Sequence, residues 1–87
     1  MTTHVNTAFV VNYDNDQYIS GDSFWPKLVD KVDLATRIDT YGDAKKFVKT
    51  AIPRLKKNGY SKELKIVKVE VTRDESFKII NVKEITQ

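Results

Sequence analysis

Residues 40–60 read TYGDAKKFVKTAIPRLKKNGY, and this stretch decides the fold. Thr40, with Asp43 three residues on, has the N-cap and acidic N3 of a capping-box pattern. The hydroxyl accepts from a backbone N–H that helix geometry leaves unpaired, and the carboxylate favours the positive end of the helix. Ala44, Phe47, Val48, Ala51, Ile52 and Leu55 follow at i, i+3, i+4, i+7, i+8 and i+11, a single apolar stripe at helical period. Asn58-Gly59 is the stop. Glycine takes the left-handed conformation without a Cβ penalty, and Tyr60 folds back on Leu55 as in a Schellman cap. Pro53 lies inside this helix. It removes the bond to the Lys49 carbonyl and bends the axis, but at about 100° per residue it falls on the polar side.

Downstream, residues 63–72 (ELKIVKVEVT) predict a strand, residues 73–76 a polar turn and residues 77–85 (FKIINVKEI) a second strand. Pairing the two puts Val67, Val69 and Val71 on one face with Ile80 and Val82. Leu64 and Ile66 fall on the other face with Phe77, Ile79 and Ile85. This C-terminal hairpin is apolar on both faces, and one helix covers only one of them. The other calls for residues 21–38, a partner, or a second copy of the chain.

Upstream, residues 7–13 (TAFVVNY) predict a strand, 14–16 a turn and 17–20 a returning strand. Residues 1–6 read as a flexible tail and 7–87 as one domain. Between 21 and 33, Phe24, Leu28, Val29 and Val32 fit a short helix with Ser23 as its cap, and Trp25-Pro26 equally fits an ordered loop. Residues 34–38 are extended and lead into the main helix. The fold class is α+β: a small antiparallel sheet of two hairpins packed against one main helix, in the order ββ(short element)αββ.

The 87 residues suffice for one domain, and 40% hydrophobic with 31% charged content is ordinary for a folded chain. There is no cysteine, which removes disulfides, thiolate metal sites and cysteine nucleophiles and favours a reducing compartment. The first residues have neither a basic nor an apolar signal region, and no apolar run is long enough to span a bilayer. The expected location is therefore cytoplasmic, with no membrane partner. The net charge of +3 is unevenly placed: residues 1–43 hold three basic and seven acidic residues, and residues 44–87 hold twelve basic and five acidic. The first half is thus net −4 and the second +7.

No catalytic, cofactor-binding or metal-ligating set emerges. The single histidine, His4, falls in the expected tail, so Ser20, Ser23, Ser61 and Ser76 lack an ordered base. Asp14-Asn15-Asp16 begins like a calcium loop, but the sixth and twelfth positions are Ile19 and Trp25, where the loop requires glycine and glutamate. Asp30 and Asp33 read as a solvated acidic face. Gly21, Gly42 and Gly59 form no phosphate-cradling loop. The positive signal is basic. Lys45, Lys49 and Lys56 fall within roughly 40° of one another on the helix, and Lys46 and Lys57 widen the arc to about 120°, opposite the apolar stripe. Lys62 and Lys65 follow close behind. Such a face meets an acidic protein surface, lies along a phosphate backbone, or simply keeps a small domain soluble. Phe9, Phe47 and Phe77 fit core positions. Phe24-Trp25 beside Pro26 is an aromatic pair suited to anchor a partner or to cover a sheet edge.

The run Leu34-Ala35-Thr36-Arg37-Ile38-Asp39-Thr40 with Asp43-Ala44-Lys45-Lys46-Phe47, between a hairpin and a valine-rich strand, resembles small proteins of unknown function in phages and prophages of Gram-positive bacteria. In these an A-x-R-[FI]-x-T-x-x-[DE]-A-x-x-F junction leads from a short hairpin into a helix and a strand. The resemblance covers roughly residues 9–72 and implies a bacterial host cell. It supplies no catalytic residues, and the strand over 77–85 departs from the shorter members. The expected function is a non-enzymatic accessory protein that contacts a host or phage protein. The alternative is nucleic-acid binding through the lysine face. A homodimer through the C-terminal hairpin is compatible with either.

Overall fold

The structure, a computed structural model, describes residues 3–14 and 16–85. Strands β1 (His4–Tyr13), β2 (Gln17–Ser20) and β3 (Lys27–Val29) precede a single 3-10 turn at Val32–Leu34. Helix α1 (Tyr41–Lys57) follows, then β4 (Leu64–Arg73) and β5 (Ile79–Glu84). The strands form one antiparallel sheet in the order β3-β2-β1-β4-β5. Its spine is the unbroken ten-residue ladder of β1 with β4, from His4↔Arg73 to Tyr13↔Leu64. The α+β class, with two hairpins and one main helix, is as the sequence predicts.

Strand alternation sorts the ladder into two apolar faces. Val11 and Tyr13, with Ile19, meet Ala51 and Leu55 of α1, with Phe47, Val48, Leu64, Leu28 and Ile38 around them. On the opposite face Ala8, Val10, Val69, Val71 and Val82 surround Ala35, with Tyr18, Val32, Val67 and Ile79 alongside. Residues 32–35 therefore cover the second face from within the chain, and that face needs no second copy to be buried. The sheet curls around this plug. The Tyr18 hydroxyl on β2 donates to the Glu84 carboxylate on β5, although β1 and β4 lie between those strands in the sheet order.

The helix ends are built as read. Thr40 Oγ1 accepts from the Asp43 N–H at 3.1 Å. At the C-terminus, Tyr60 N–H bonds to the Leu55 carbonyl at 2.9 Å and Gly59 N–H to the Lys56 carbonyl at 3.1 Å, with Gly59 at φ +88°. These are the two bonds of a Schellman motif. Pro53 is exposed, so the lost hydrogen bond faces water and the apolar stripe is undisturbed.

Four expectations are corrected. The strand predicted from residue 7 begins at His4, so residues 4–6 belong to the sheet and not to a flexible tail; residues 1 and 2 lie outside the described residues, as does Asn15 of the first turn. The short helix expected over 21–33 is instead a turn, the edge strand β3 and the 3-10 turn. No side-chain bond from Ser23 caps it. Asp22 organises the turn, its carboxylate accepting from the Phe24 and Trp25 N–H groups at 2.7 and 3.1 Å. Phe77 is not a core residue: it sits in the β4–β5 turn at φ +62° and is 65% exposed. Ile80 does not share the valine face either. The register slips between Thr72 and Arg73, which pair with Asn81 and Ile79. Ile80 is the extra bulged residue, 56% exposed, and Ile79 packs on the core in its place.

The Tyr18–Glu84 bond carries a pH signature. Burial, then the hydrogen bond to Glu84, raises the Tyr18 pKa from 10.0 to about 12. The neutral phenol is the form favoured by the fold, so its contribution is complete below pH 10 and is lost as pH rises through about 12. In urea titrations across that window the wild type should lose more stability than Tyr18→Phe, which has no phenol to ionise.

Candidate functional site

Two surfaces combine exposure with chemistry. The first is the outer side of α1. Lys45, Lys46, Lys49, Lys56 and Lys57 are all exposed, because Ala44, Ala51 and Leu55 on the opposite side are held in the core. Among the described residues the one ion pair is Lys83–Glu70 at 3.6 Å, so these five cations have no acidic partner. The Lys45 ammonium lies 5.3 Å from the Tyr41 ring centroid, which positions it beside the helix start.

The aromatic pair lies against the flank of α1, at the edge of the basic arc. The Arg54 guanidinium stands 5.3 Å from the Phe24 ring centroid, which brings the 21–26 loop to the helix. Phe24 is 55% exposed and Trp25 75%. The loop is held in shape by the Asp22 bonds and by Thr36 Oγ1, which donates to the Gly21 carbonyl. Gly21 is required where it stands. Its φ is +79°, and a Cβ there would lie 2.7 Å from the Trp25 carbonyl oxygen. An indole held open on a hydrogen-bonded loop is a preorganised contact.

Not every predicted lysine belongs here. Lys62 borders the helix end, sharing a crevice with Ile52, Lys56 and Tyr60. Lys65 pairs with Asn12 across the ladder and so projects from the face opposite Leu64, which packs under α1. It lines a shallow hollow with Asp14, Lys62 and Glu63, where two acids offset two bases. The acidic residues Asp30 and Asp33 flank Val32, which covers the other side of the sheet. The charge asymmetry along the chain thus becomes, for these groups, a separation in space.

The second surface is a cleft of about 530 Å³ at the open end of the concave face. Asn6, Ala8 and Val71 form its floor, and Arg37, Asp39, Arg73 and Phe77 stand around it. Sequence reasoning missed it because its members come from three separated segments. His4, placed by the sequence in a tail, lies stacked on Phe77 with centroids 4.4 Å apart. The available signal was Glu75-Ser76-Phe77 between Asp74 and Lys78, a three-residue hairpin loop whose last position favours glycine.

Among the described residues no group of three His, Asp or Glu side chains is gathered as a metal site requires, and no helix is long and apolar enough to cross a membrane. No family model, curated protein or solved structure matches the chain.

Proposed function

We propose that the chain is a non-enzymatic binding module, an accessory protein that holds a host or phage protein through the basic face of α1 and the Trp25 loop. The partner surface it fits is acidic, with an apolar recess for the indole. The observation that carries this reading is the Arg54–Phe24 contact, which holds the Trp25 loop against the flank of α1 beside Lys57, at the edge of the basic arc. Trp25 supplies the desolvated anchor with Lys57 beside it, and Lys45, Lys49 and Lys56 farther round the helix supply electrostatic steering. Compact, hydrated ammonium groups suit carboxylate-rich protein better than base-specific contacts, which favour bidentate arginine.

The test is a titration of ¹⁵N-labelled protein with a short poly-glutamate peptide carrying one leucine, and separately with duplex DNA. The peptide should shift the Trp25 indole and the amides of Lys45, Lys49 and Lys56. Trp25→Ala should weaken binding about tenfold. Joint replacement of the three lysines by glutamate should weaken it on the order of a hundredfold, with the fold intact. DNA shifts on the same residues, steeply salt-dependent and without peptide shifts, would replace the protein partner by nucleic acid. Silence with both ligands would remove the surface from consideration.

A further inference from the structure

We propose that the cleft on the concave face binds a nucleoside monophosphate, either free or as one residue of a single strand, with the phosphate between Arg37 and Arg73 and the base on Phe77. This site is on the opposite side of the sheet from α1 and is independent of the lysine surface.

The first support is charge. Arg37 and Arg73 are both partly buried and both line the cleft. Arg37 spends one donor on the Asp33 carbonyl at 3.1 Å; the other N–H groups of its guanidinium are available. The Arg73 guanidinium makes no hydrogen bond or ion pair among the described residues. Removing a guanidinium from water without an acidic partner is costly, and a bidentate anion offsets that cost. Asp39 is the one acid in the lining and forms no ion pair with either arginine among the described residues. The lining is therefore cationic overall, which favours a phosphate, while the Asp39 carboxylate is an acceptor suited to ribose hydroxyls.

The second support is Phe77. Its N–H bonds to the Asp74 carbonyl at 3.0 Å, and Asp74 N–H bonds to the Lys78 carbonyl at 2.9 Å. Asp74 Oδ1 accepts from Ser76 and Lys78 N–H groups at 2.9 and 3.0 Å. This is a type I turn closed by a left-handed residue, the position that glycine fills at no cost. Phenylalanine there is strained at φ +62° and yet the residue is 65% exposed, so burial does not account for it. One ring face rests on His4, nearly parallel at 18°, which fixes the plane; the ring also borders the cleft. Strain that holds an aromatic ring open beside two arginines is expected of a stacking platform. The volume of about 530 Å³ is within the range of small-ligand sites.

The experiment is a ¹⁵N titration with AMP, adenosine, inorganic phosphate and a short oligoriboadenylate, on wild type, Phe77→Gly and Arg73→Glu. AMP should shift Asn6, Arg37, Arg73 and Phe77, with adenosine and phosphate each at least about tenfold weaker, since each lacks one half of the contact. Phe77→Gly suits the backbone at that position, so the variant folds, and it should bind AMP about tenfold more weakly while its response to phosphate is kept. Arg73→Glu should abolish both. An oligonucleotide that binds far more tightly than AMP identifies the ligand as one residue of a strand; equal affinity identifies the free nucleotide. The proposal is overturned if AMP and the oligonucleotide leave the cleft unshifted at millimolar concentration, if their shifts fall on Lys45, Lys49 and Lys56, or if Phe77→Gly binds AMP like wild type.

Discussion

Ala35→Leu is expected to lower the free energy of unfolding by about 2 kcal/mol, within the range for overpacking a dense core. Ala35 is 3% exposed and sits where Ala8, Val10, Val69, Val71 and Val82 converge. The 3-10 bond from its N–H to the Val32 carbonyl, at 3.2 Å, fixes its height above the sheet. Three added carbons have two ways out. The 32–35 segment lifts off, exposing Val32, or the sheet uncurls and separates Tyr18 from Glu84. Urea denaturation measures the cost, and the pH dependence between 10 and 12 tells the two apart. If the sheet uncurls, the variant loses the alkaline signature of Tyr18; if the segment lifts, it keeps the part that the Glu84 bond supplies. A full-stability Ala35→Leu protein would mean that the concave face is not filled by this residue.

That plug was the hardest part of the fold to read. Phe24, Leu28, Val29 and Val32 match a helical period, yet they do not share a face. Leu28 packs in the core beneath α1 and Val32 in the core on the opposite side, so the regular spacing records a chain crossing from one face of the sheet to the other. Periodicity assumes one face per element and fails where a short segment serves two. The main helix was legible because its signals are local: Thr40 at one end, Gly59 at the other and an unbroken stripe between. The β4–β5 hairpin was legible as a hairpin but not in register. One bulged residue, Ile80, exchanges the faces of Ile79 and Ile80, and sequence alone does not say which strand carries the bulge. The same contrast holds for function. The lysine face is spaced within one helix and could be read directly. Its junction with Trp25, and the meeting of Arg37 with Arg73, depend on how the curled sheet brings distant segments together.

The second large effect is expected at Ile19. It is fully buried, among the largest side chains so enclosed, and joins β2 to Val11, Tyr13, Ala51 and Leu55. Its carbonyl also accepts the Thr36 N–H at 3.1 Å, so it anchors the return of the chain toward α1. Ile19→Ala should cost about 3 kcal/mol, the lost transfer energy plus the cavity left under the helix. That is a large share of the stability available to so small a domain. Its value lies in what it leaves unchanged. Ile19 touches neither the exposed lysines nor Trp25, so the variant, studied well below its lowered melting midpoint, should bind an acidic peptide as the wild type does. The lysine-to-glutamate variant should show the reverse, a near-normal midpoint and lost binding. Like-charge repulsion among Lys45, Lys49 and Lys56 across the α1 surface is unfavourable to the fold, so their replacement leaves the midpoint near normal. If both variants lose binding in proportion to stability, the basic face is a feature of folding alone; if they separate as described, the core and the contact surface are independent parts of one small protein.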